Sequence, residues 1–160
     1  MLNVAVLCIG KLKERYLAEA CAEYQKRLAA FCKLEIIELP ECKLPDNPSE
    51  KQIAAGLLKE GELILGKIPR EAFAIPLCIE GKMLASPQLA DKLREIPLSG
   101  RSQLAFIIGG SFGLSEAVKA RGDLKLSMSP MTFPHQLARV MLLEQVYRGF
   151  SIISHAKYHK

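Results

Sequence analysis

The chain lacks tryptophan, any Cys-x-x-Cys pair and any apolar run long enough to cross a membrane. Its five cysteines are odd in number and fall mainly on apolar segments, which is typical of buried thiols in a reducing compartment and argues against a disulfide scaffold. The first residues carry no positive charge ahead of their apolar run, so we interpret them as a strand and not as a signal peptide. We therefore expect a cytoplasmic protein with no membrane contact.

Several site motifs are missing as well. The chain has no Gly-x-Gly-x-x-Gly, no Gly-Lys-Ser/Thr and no Gly-x-Ser-x-Gly, which argues against a dinucleotide fingerprint, a Walker loop and a hydrolase elbow. His155 and His159 are four residues apart, but neither cysteine nor carboxylate stands beside them, so we expect no metal site.

What the chain does have is the composition of one globular domain. It has 160 residues, of which 49% are hydrophobic and 24% charged, and it shows neither repeats nor linkers. We interpret residues 1–160 as a single domain. The net charge of +5 is compatible with a polyanionic partner but does not require one.

Hydrophobic periodicity predicts strands and helices in strict alternation, in the order βαβαβαβαβα. This order is typical of an α/β domain with a mainly parallel sheet and helices on both faces. Pro76 removes a ladder donor from the third strand and suggests an edge or a bulge there. Ser49 with Gln52 predicts a capping box at the start of the second helix, and Ser86 before Pro87 predicts a capped start for the third. The predicted strands are 2–9, 34–39, 72–79, 104–108 and 124–128, and the helices lie around 16–31, 50–65, 86–96, 115–120 and from 135 onward.

Three irregular turns follow apolar strands, at 77–81, 109–113 and 128–134. Ligands of parallel sheets bind beyond the carboxyl ends of strands, so these turns would share one crevice if their strands are neighbours. Exposed main-chain groups there would suit an adenine, with apolar walls from Leu77, Met128, Met131 and Phe133. For any one of these side chains core packing is the better explanation, and the glycine turn taken alone is better explained as an ordinary strand-to-helix connection.

Several segments together resemble the RlmH (YbeA) family of SPOUT-class methyltransferases. They are Ile107-Ile-Gly-Gly-Ser-Phe-Gly-Leu114, Met131-Thr-Phe-Pro-His-Gln136, Arg139-Val140, Glu144-Gln-Val-Tyr-Arg148, the ending Tyr158-His-Lys160, and the earlier Gly10-Lys-Leu-Lys13 and Glu80-Gly-Lys-Met-Leu84. The resemblance implies a C-terminal trefoil knot and a homodimer in which the first and last helices meet the partner. It also implies that S-adenosylmethionine is held by positions matching Leu77, Gly109, Met128, Ser129, Pro130, Met131, Thr132 and Phe133.

The reaction that the resemblance implies is methylation of N3 of a pseudouridine in helix 69 of 23S rRNA, on the assembled ribosome. N3 must lose its proton, so we expect His159 to be the base, Tyr158 to position it, and Arg139 to stabilise the base or a phosphate. Arg148 and Lys160 are the expected RNA contacts. The alternatives are an adenosine-binding protein without catalysis and a ribosome-associated RNA-binding protein.

Overall fold

The computed structural model describes all 160 residues as five parallel strands and five helices, in the alternating order predicted. The strands are β1 (Asn3–Ile9), β2 (Lys33–Leu39), β3 (Phe73–Met83), β4 (Gln103–Ile108) and β5 (Leu126–Ser127). The helices are α1 (Arg15–Leu28), α2 (Glu50–Lys67), α3 (Ser86–Leu98), α4 (Glu116–Arg121) and α5 (His135–Ile153). None of the helices combines the length and apolarity that a membrane span requires.

Strand β4 lies at the centre of the sheet, whose order is β2-β1-β4-β3-β5. Its residues from Leu104 to Ile108 are at most 4% exposed, as expected of a parallel strand covered on both faces. Alternate side chains of β4 enter two separate cores. Leu104, Phe106 and Ile108 pack in the core beneath α1, α3 and α5, and Ala105 and Ile107 pack in the core beneath α2 and α4.

Strand β3 departs from the sequence-based expectation, because it continues through the segment predicted to be a turn. Leu77 and Lys82 both pair with Leu126 of β5, so residues 78–81 form a bulge inside the strand. Pro76 is therefore next to a bulge, as expected, but β3 is not an edge strand. The N–H and C=O of Ala74 point away from β4, towards Asp123. Main-chain groups two residues apart in a strand point the same way. The N–H that Pro76 lacks would therefore also have pointed away from β4, so its absence removes no hydrogen bond between β3 and β4.

The start and end of α3 also differ from the prediction. Ser86 does not cap the helix, because its hydroxyl donates to Gln145 of α5, and Gln88 accepts the N–H of Ala85 instead. The helix does not stop before Pro97, since a proline in the last turn forfeits only one intrahelical hydrogen bond. By contrast, Ser49 and Gln52 form the predicted capping box of α2.

The apolar face of α1 is already covered within the chain. Leu17, Cys21 and Leu28 are buried against the sheet and α5, and Tyr24 is partly buried there. The apolarity of this face is therefore explained largely by packing within the chain, without a partner subunit. Tyr16 is the exception, with 68% of its surface exposed.

Candidate functional site

The three turns singled out in the sequence line a single pocket of about 870 Å³. This volume is within the range of sites that enclose small molecules and cofactors. The pocket lies at the carboxyl end of β4, between the bulge of β3 on one side and the loop that leads into α5 on the other. The lining includes Leu77, Gly109, Met128, Ser129, Met131, Thr132 and Phe133, which are all but one of the predicted cofactor-binding residues; Pro130 does not line it.

The floor of the pocket is the turn from Gly109 to Gly113. The N–H of Gly113 donates to the carbonyl of Gly110 over 3.1 Å, which closes the turn. A Cβ on Gly109 would overlap the backbone of Gly113, so only glycine allows this close approach. Of the turn's three glycines, only Gly113 has a positive φ, at 83°. The turn therefore presents bare main chain to the pocket and projects Ser111 and Phe112 from its tip.

The loop after β5 forms the opposite wall and is held by its own serines. Ser127 donates its hydroxyl to the carbonyl of Ser129, and Ser129 accepts the N–H of Met131. These bonds leave Met131 largely exposed, at 73%, with its side chain at the pocket. The loop thus combines apolar side chains with an ordered main chain, which is what recognition of a flat heterocycle requires.

A charged pair on the side of the pocket formed by the β3 bulge was not foreseen from the sequence. Lys119 of α4 pairs with Glu80 in the bulge of β3, and both line the pocket. The hydrogen bond from Lys119 lowers the pKa of the Glu80 carboxyl. No sequence signal pointed to this pair, because the two residues belong to different elements and to no motif.

Arg139 does not line the pocket. Its side chain is 3% exposed and donates to Glu38 at 2.7 Å and to the carbonyl of Gly10 at 3.2 Å. Its Nε is buried without a partner. The guanidinium thus joins α5 to the carboxyl ends of β1 and β2, and in this arrangement it is not free to bind a phosphate.

The C-terminal tail folds back along α5 because the chain reverses at His155. This residue has a φ of 58°, and Ala156 donates to the carbonyl of Ser151 in the manner of a Schellman cap. Tyr158 then donates to Glu144, and Arg148 donates to Glu144 and to Nδ1 of His159. Burial, together with hydrogen bonds to Tyr24 and Glu144, raises the pKa of Tyr158 to about 12.

The tail is therefore remote from the pocket of its own chain. Ala138 is the last residue of α5 that lines the pocket, whereas Arg148, which contacts His159, lies ten residues further along the helix. At 1.5 Å per residue, about 15 Å of helix separates these two residues. The structure brings the predicted cofactor residues together but leaves Tyr158, His159, Arg148 and Lys160 outside the pocket.

Comparison with known proteins assigns the chain that forms this pocket to a family. A family model described as "Predicted SPOUT methyltransferase" matches residues 2–159. The chain belongs to the SPOUT methyltransferases. It is 50% identical over 159 residues to proteins named ribosomal RNA large subunit methyltransferase H from Clostridium beijerinckii and Bacillus pumilus, covering 99% of this chain and all of each relative. The family resemblance seen in the sequence is confirmed.

Solved structures of other methyltransferases share the fold. A tRNA (m1G37) methyltransferase from Aquifex aeolicus superposes with a TM-score of 0.53 at 13% identity, over 91% of this chain and 69% of that one. A putative methyltransferase from Legionella pneumophila, solved with bound S-adenosylmethionine, gives a TM-score of 0.50 at 15% identity, over 92% of this chain and 66% of that one. At these identities the likeness concerns the fold alone.

No group of three or more His, Cys, Asp or Glu side chains in this SPOUT methyltransferase is placed to hold a metal ion. The five cysteines are free thiols, three of them buried and two partly buried. Burial raises the pKa of Cys8 to about 12 and that of Cys32 to about 11, so these two thiols are not nucleophiles at neutral pH.

Proposed function

We propose that this methyltransferase uses S-adenosylmethionine to methylate N3 of a pseudouridine in helix 69 of 23S rRNA, within the assembled ribosome in the cytoplasm. The observation that carries the proposal is the meeting of three main-chain turns around one pocket of cofactor size. The rRNA substrate is supported by the names of the relatives that match over their full length. The nucleotide and its position rest on the family resemblance.

The residues at the pocket fit the cofactor. Leu77, Met128 and Phe133 offer apolar surfaces for an adenine, and the bare main chain of the glycine turn offers donors and acceptors for its polar edge. Gly109 and the loop 128–133, including Pro130, would complete the cradle. When bound, S-adenosylmethionine supplies a methyl group on a positively charged sulfur, which is a good leaving group.

The work left to the protein is alignment and removal of one proton. Holding N3 in line with the methyl group contributes an effective molarity of about 10⁵ to 10⁸ M. N3 carries a proton that must leave, and His159 is the proposed base. Nδ1 of His159 faces the Arg148 guanidinium, which can only donate, so this nitrogen is the unprotonated one. His159 must therefore separate from Arg148 before Nδ1 can accept the proton.

The distance of the tail from its own pocket supports a homodimer in which each tail acts in the partner's site. Within one chain His159 contacts Arg148, which lies about 15 Å along α5 from Ala138, the last residue of this helix that lines the pocket. A tail supplied by a second copy removes this gap without unfolding α5. The same proposal includes a trefoil knot in the C-terminal part, as the family resemblance implies.

Tyr158, Arg148 and Lys160 have supporting roles in the proposal. Tyr158 donates to Glu144 and packs edge-on against Tyr147, with ring centroids 4.7 Å apart, so it fixes the direction in which the tail leaves. Arg148 and Lys160 would meet phosphates of the rRNA, consistent with the net charge of +5. Arg139 is buried and paired, so we assign it the positioning of Gly10 and α5 in place of direct contact with substrate.

The decisive experiment is transfer of a labelled methyl group from S-adenosylmethionine to intact ribosomes, separate subunits and naked rRNA, all lacking the modification. We expect transfer to intact ribosomes, on N3 of the helix 69 pseudouridine when the product is mapped. Transfer to another nucleotide would overturn the substrate assignment, and no transfer to any of the three would overturn the rRNA substrate.

The role of the tail is tested with His159→Ala, and His155→Ala on the same tail is the matched control. We expect His159→Ala to bind S-adenosylmethionine normally in calorimetry and to lose about 10²- to 10⁴-fold in kcat, the usual contribution of a general base. His155→Ala is expected to stay close to the wild-type rate. Wild-type turnover by His159→Ala would remove this residue from the mechanism.

A further inference from the structure

A second, smaller pocket of about 480 Å³ adjoins the cofactor pocket. Ser111 and Phe112, at the tip of the glycine turn, line both pockets and form the wall between them. Glu41 also lies at the boundary, because one of its carboxylate oxygens is 3.5 Å from the position that a Cβ on Gly110 would take. A ligand in the smaller pocket would therefore lie directly beside a ligand in the larger one.

The walls of the smaller pocket suit a flat, uncharged ring. Leu44, Ile53 and Leu57 give it apolar sides where the loop 40–48 packs on α2. Phe112 is 50% exposed at the tip of a turn whose main chain is closed by a hydrogen bond, so its ring lies at the boundary and is available to a ligand. Stacking of a nucleobase on an exposed aromatic ring is the usual way in which proteins hold an unpaired base.

A buried carboxylate faces this pocket. Glu60 of α2 is only 8% exposed, and its Oε2 accepts the N–H of Cys42 at 2.9 Å. Its Oε1 accepts no hydrogen bond, yet it is not among the atoms sealed from solvent, so it is open to the pocket that Glu60 lines. Burial, reinforced by the charge of Glu41 and opposed by the Cys42 amide, raises the pKa of Glu60. An N–H donor from a ligand would satisfy this oxygen.

The charges of the lining decide which part of an RNA fits. Three carboxylates, on Glu41, Asp46 and Glu60, face one ammonium group, on Lys43. This excess of negative charge repels phosphate. It favours a neutral ring that donates N–H groups, and pseudouracil has two such groups, N1–H and N3–H, where uracil attached through N1 has one.

We propose that the smaller pocket receives the base of the target nucleotide, stacked on Phe112 with its N1–H donating to Glu60, so that N3 stays free at the boundary with the cofactor pocket. The inference rests on the proposed function, whose substrate it specifies, and it makes Phe112 and Glu60 specificity residues that act on RNA binding. The base is extruded from its stack and enters beside the cofactor, as in other enzymes that modify a base. The second N–H of pseudouracil gives the pocket a means to reject unmodified uridine.

The first test measures binding and does not depend on methyl transfer. The wild-type protein, saturated with S-adenosylmethionine, is titrated with pseudouridine nucleoside while methyl and aromatic NMR signals are followed. We expect saturable shifts of the Phe112 ring and the Leu57 and Ile53 methyls, weaker shifts with uridine, and no shift at Leu98, an exposed leucine far from both pockets in sequence. An absence of shifts at Phe112 and Leu57, or equal shifts with uridine, overturns the proposal.

The second test measures kcat/KM for ribosomes at saturating S-adenosylmethionine. Phe112→Leu keeps an apolar side chain but removes the aromatic face, and we expect a loss of about 5- to 150-fold, the range of one base-stacking contact. Phe112→Tyr should restore most of the rate. Leu98→Ala, which alters a leucine that is 82% exposed, is the matched control and should stay at the wild-type value.

Glu60→Gln tests the polar half of the pocket. Its amide oxygen can still accept the Cys42 N–H, but an NH₂ group replaces the free acceptor, so we expect kcat/KM for ribosomes to fall at least tenfold. Because burial raises the pKa of Glu60, the neutral variant should be no less stable than wild type at neutral pH. Glu62→Gln, on the exposed side of the same helix, is the control.

These outcomes separate the two proposals. If wild-type protein methylates ribosomes while Phe112→Leu and Glu60→Gln do so at wild-type kcat/KM, the base pocket is wrong and the enzymatic function stands. If wild-type protein methylates no rRNA but the nucleoside shifts Phe112 and Leu57, the rRNA substrate is wrong and the pocket stands.

Discussion

Two glycines in the floor of the pocket are required for different physical reasons. A Cβ at Gly109 would overlap the main chain of Gly113, and no flexible side chain can move aside to make room. A Cβ at Gly113 would meet open space, and only its φ of 83° opposes a larger residue, at about 1–2 kcal/mol. Substitution at Gly109 must therefore deform the turn, whereas substitution at Gly113 only strains it.

We accordingly expect Gly109→Ala to weaken S-adenosylmethionine binding at least tenfold. Gly113→Ala should weaken binding much less, with a change in log Kd that is under half of the change for Gly109→Ala. Calorimetry of both variants, with their Tm values as the control for folding, makes the comparison. Equal affinity of Gly109→Ala and wild type would show that the turn does not contact the cofactor.

Asp123 gives the protein a pH-dependent connection between β3 and the segment before β5. Burial, the largest influence, raises the pKa of this carboxyl. The Ala74 amide, together with Arg101 and Arg121, outweighs burial and leaves the pKa below its ordinary value of 3.8. A depressed pKa means that the ionised form stabilises the fold above the unfolded-state pKa, about 3.9, and that this stabilisation is lost as the pH falls through the native value.

Asp123→Asn should therefore lower the Tm by a few degrees at pH 7, and the difference from wild type should shrink steadily below about pH 4. Thermal unfolding of both proteins from pH 2.5 to 7.5 measures this convergence, and Asp91→Asn, at an exposed helix pair, is the control. A difference that stays constant down to pH 2.5 would mean that the carboxylate charge is not the stabilising feature.

At the level of elements, Arg139 fastens the start of α5 to the ends of two strands. It donates to Glu38 at the end of β2 and to the carbonyl of Gly10 just after β1. Removing the guanidinium leaves both acceptors without this partner, and hydrogen bonds from charged groups contribute about 1.5–3 kcal/mol. Arg139→Met should therefore reduce the free energy of unfolding by about 2 kcal/mol.

The partner assignment is tested by a double-mutant cycle with Glu38→Gln. If the two side chains stabilise each other, Glu38→Gln should cost much less in the Arg139→Met background than in wild type, with a coupling energy of about 1 kcal/mol or more. Chemical denaturation of the four proteins supplies the energies. Additive costs would leave Arg139 available for a contact with substrate.

The elements themselves were largely predictable, because their signals are local. The unbroken apolar run of β4 and the capping box of Ser49 and Gln52 each involve a few neighbouring residues, and both were found where the sequence placed them. The errors arose where a residue distant in sequence determines the local structure. Ser86 donates to Gln145 and does not cap α3, and β3 continues past Leu77 because Leu126 pairs with it on both sides of the bulge.

The same distinction applies to the site. Turns that follow strands of a parallel sheet meet at its edge, so the pocket could be predicted from strand order and irregular turns. The positions of Arg139 and the tail could not, because they depend on Glu38, Glu144 and Arg148, which no periodicity relates to them. The Glu60 pocket was missed as well, since a glutamate in a helix carries no sign of burial.

At the level of the whole molecule, the separation of the tail from the pocket is the feature on which the proposed dimer rests. His159 is placed by Arg148, in the second half of α5, and Tyr158 is placed by Glu144, at the middle of this helix. If each tail acts in the partner's pocket, a dimer contains two composite sites, and each site takes its cofactor residues from one chain and its base from the other.

Complementation between two inactive variants tests this arrangement. Gly109→Ala damages only the cofactor half of a site and His159→Ala only the tail half, so at S-adenosylmethionine concentrations that saturate the wild type but lie well below the Kd of Gly109→Ala, each homodimer should have little activity. In a heterodimer with tails acting across the dimer, one site combines both defects and the other combines neither. Random pairing of equal amounts makes half of the dimers mixed, so exchange of subunits should restore roughly a quarter of wild-type activity. With tails acting in their own chains, both sites of the heterodimer carry one defect and mixing restores nothing. Labelled methyl transfer to ribosomes, measured before and after the subunits are unfolded together and refolded, distinguishes the two arrangements.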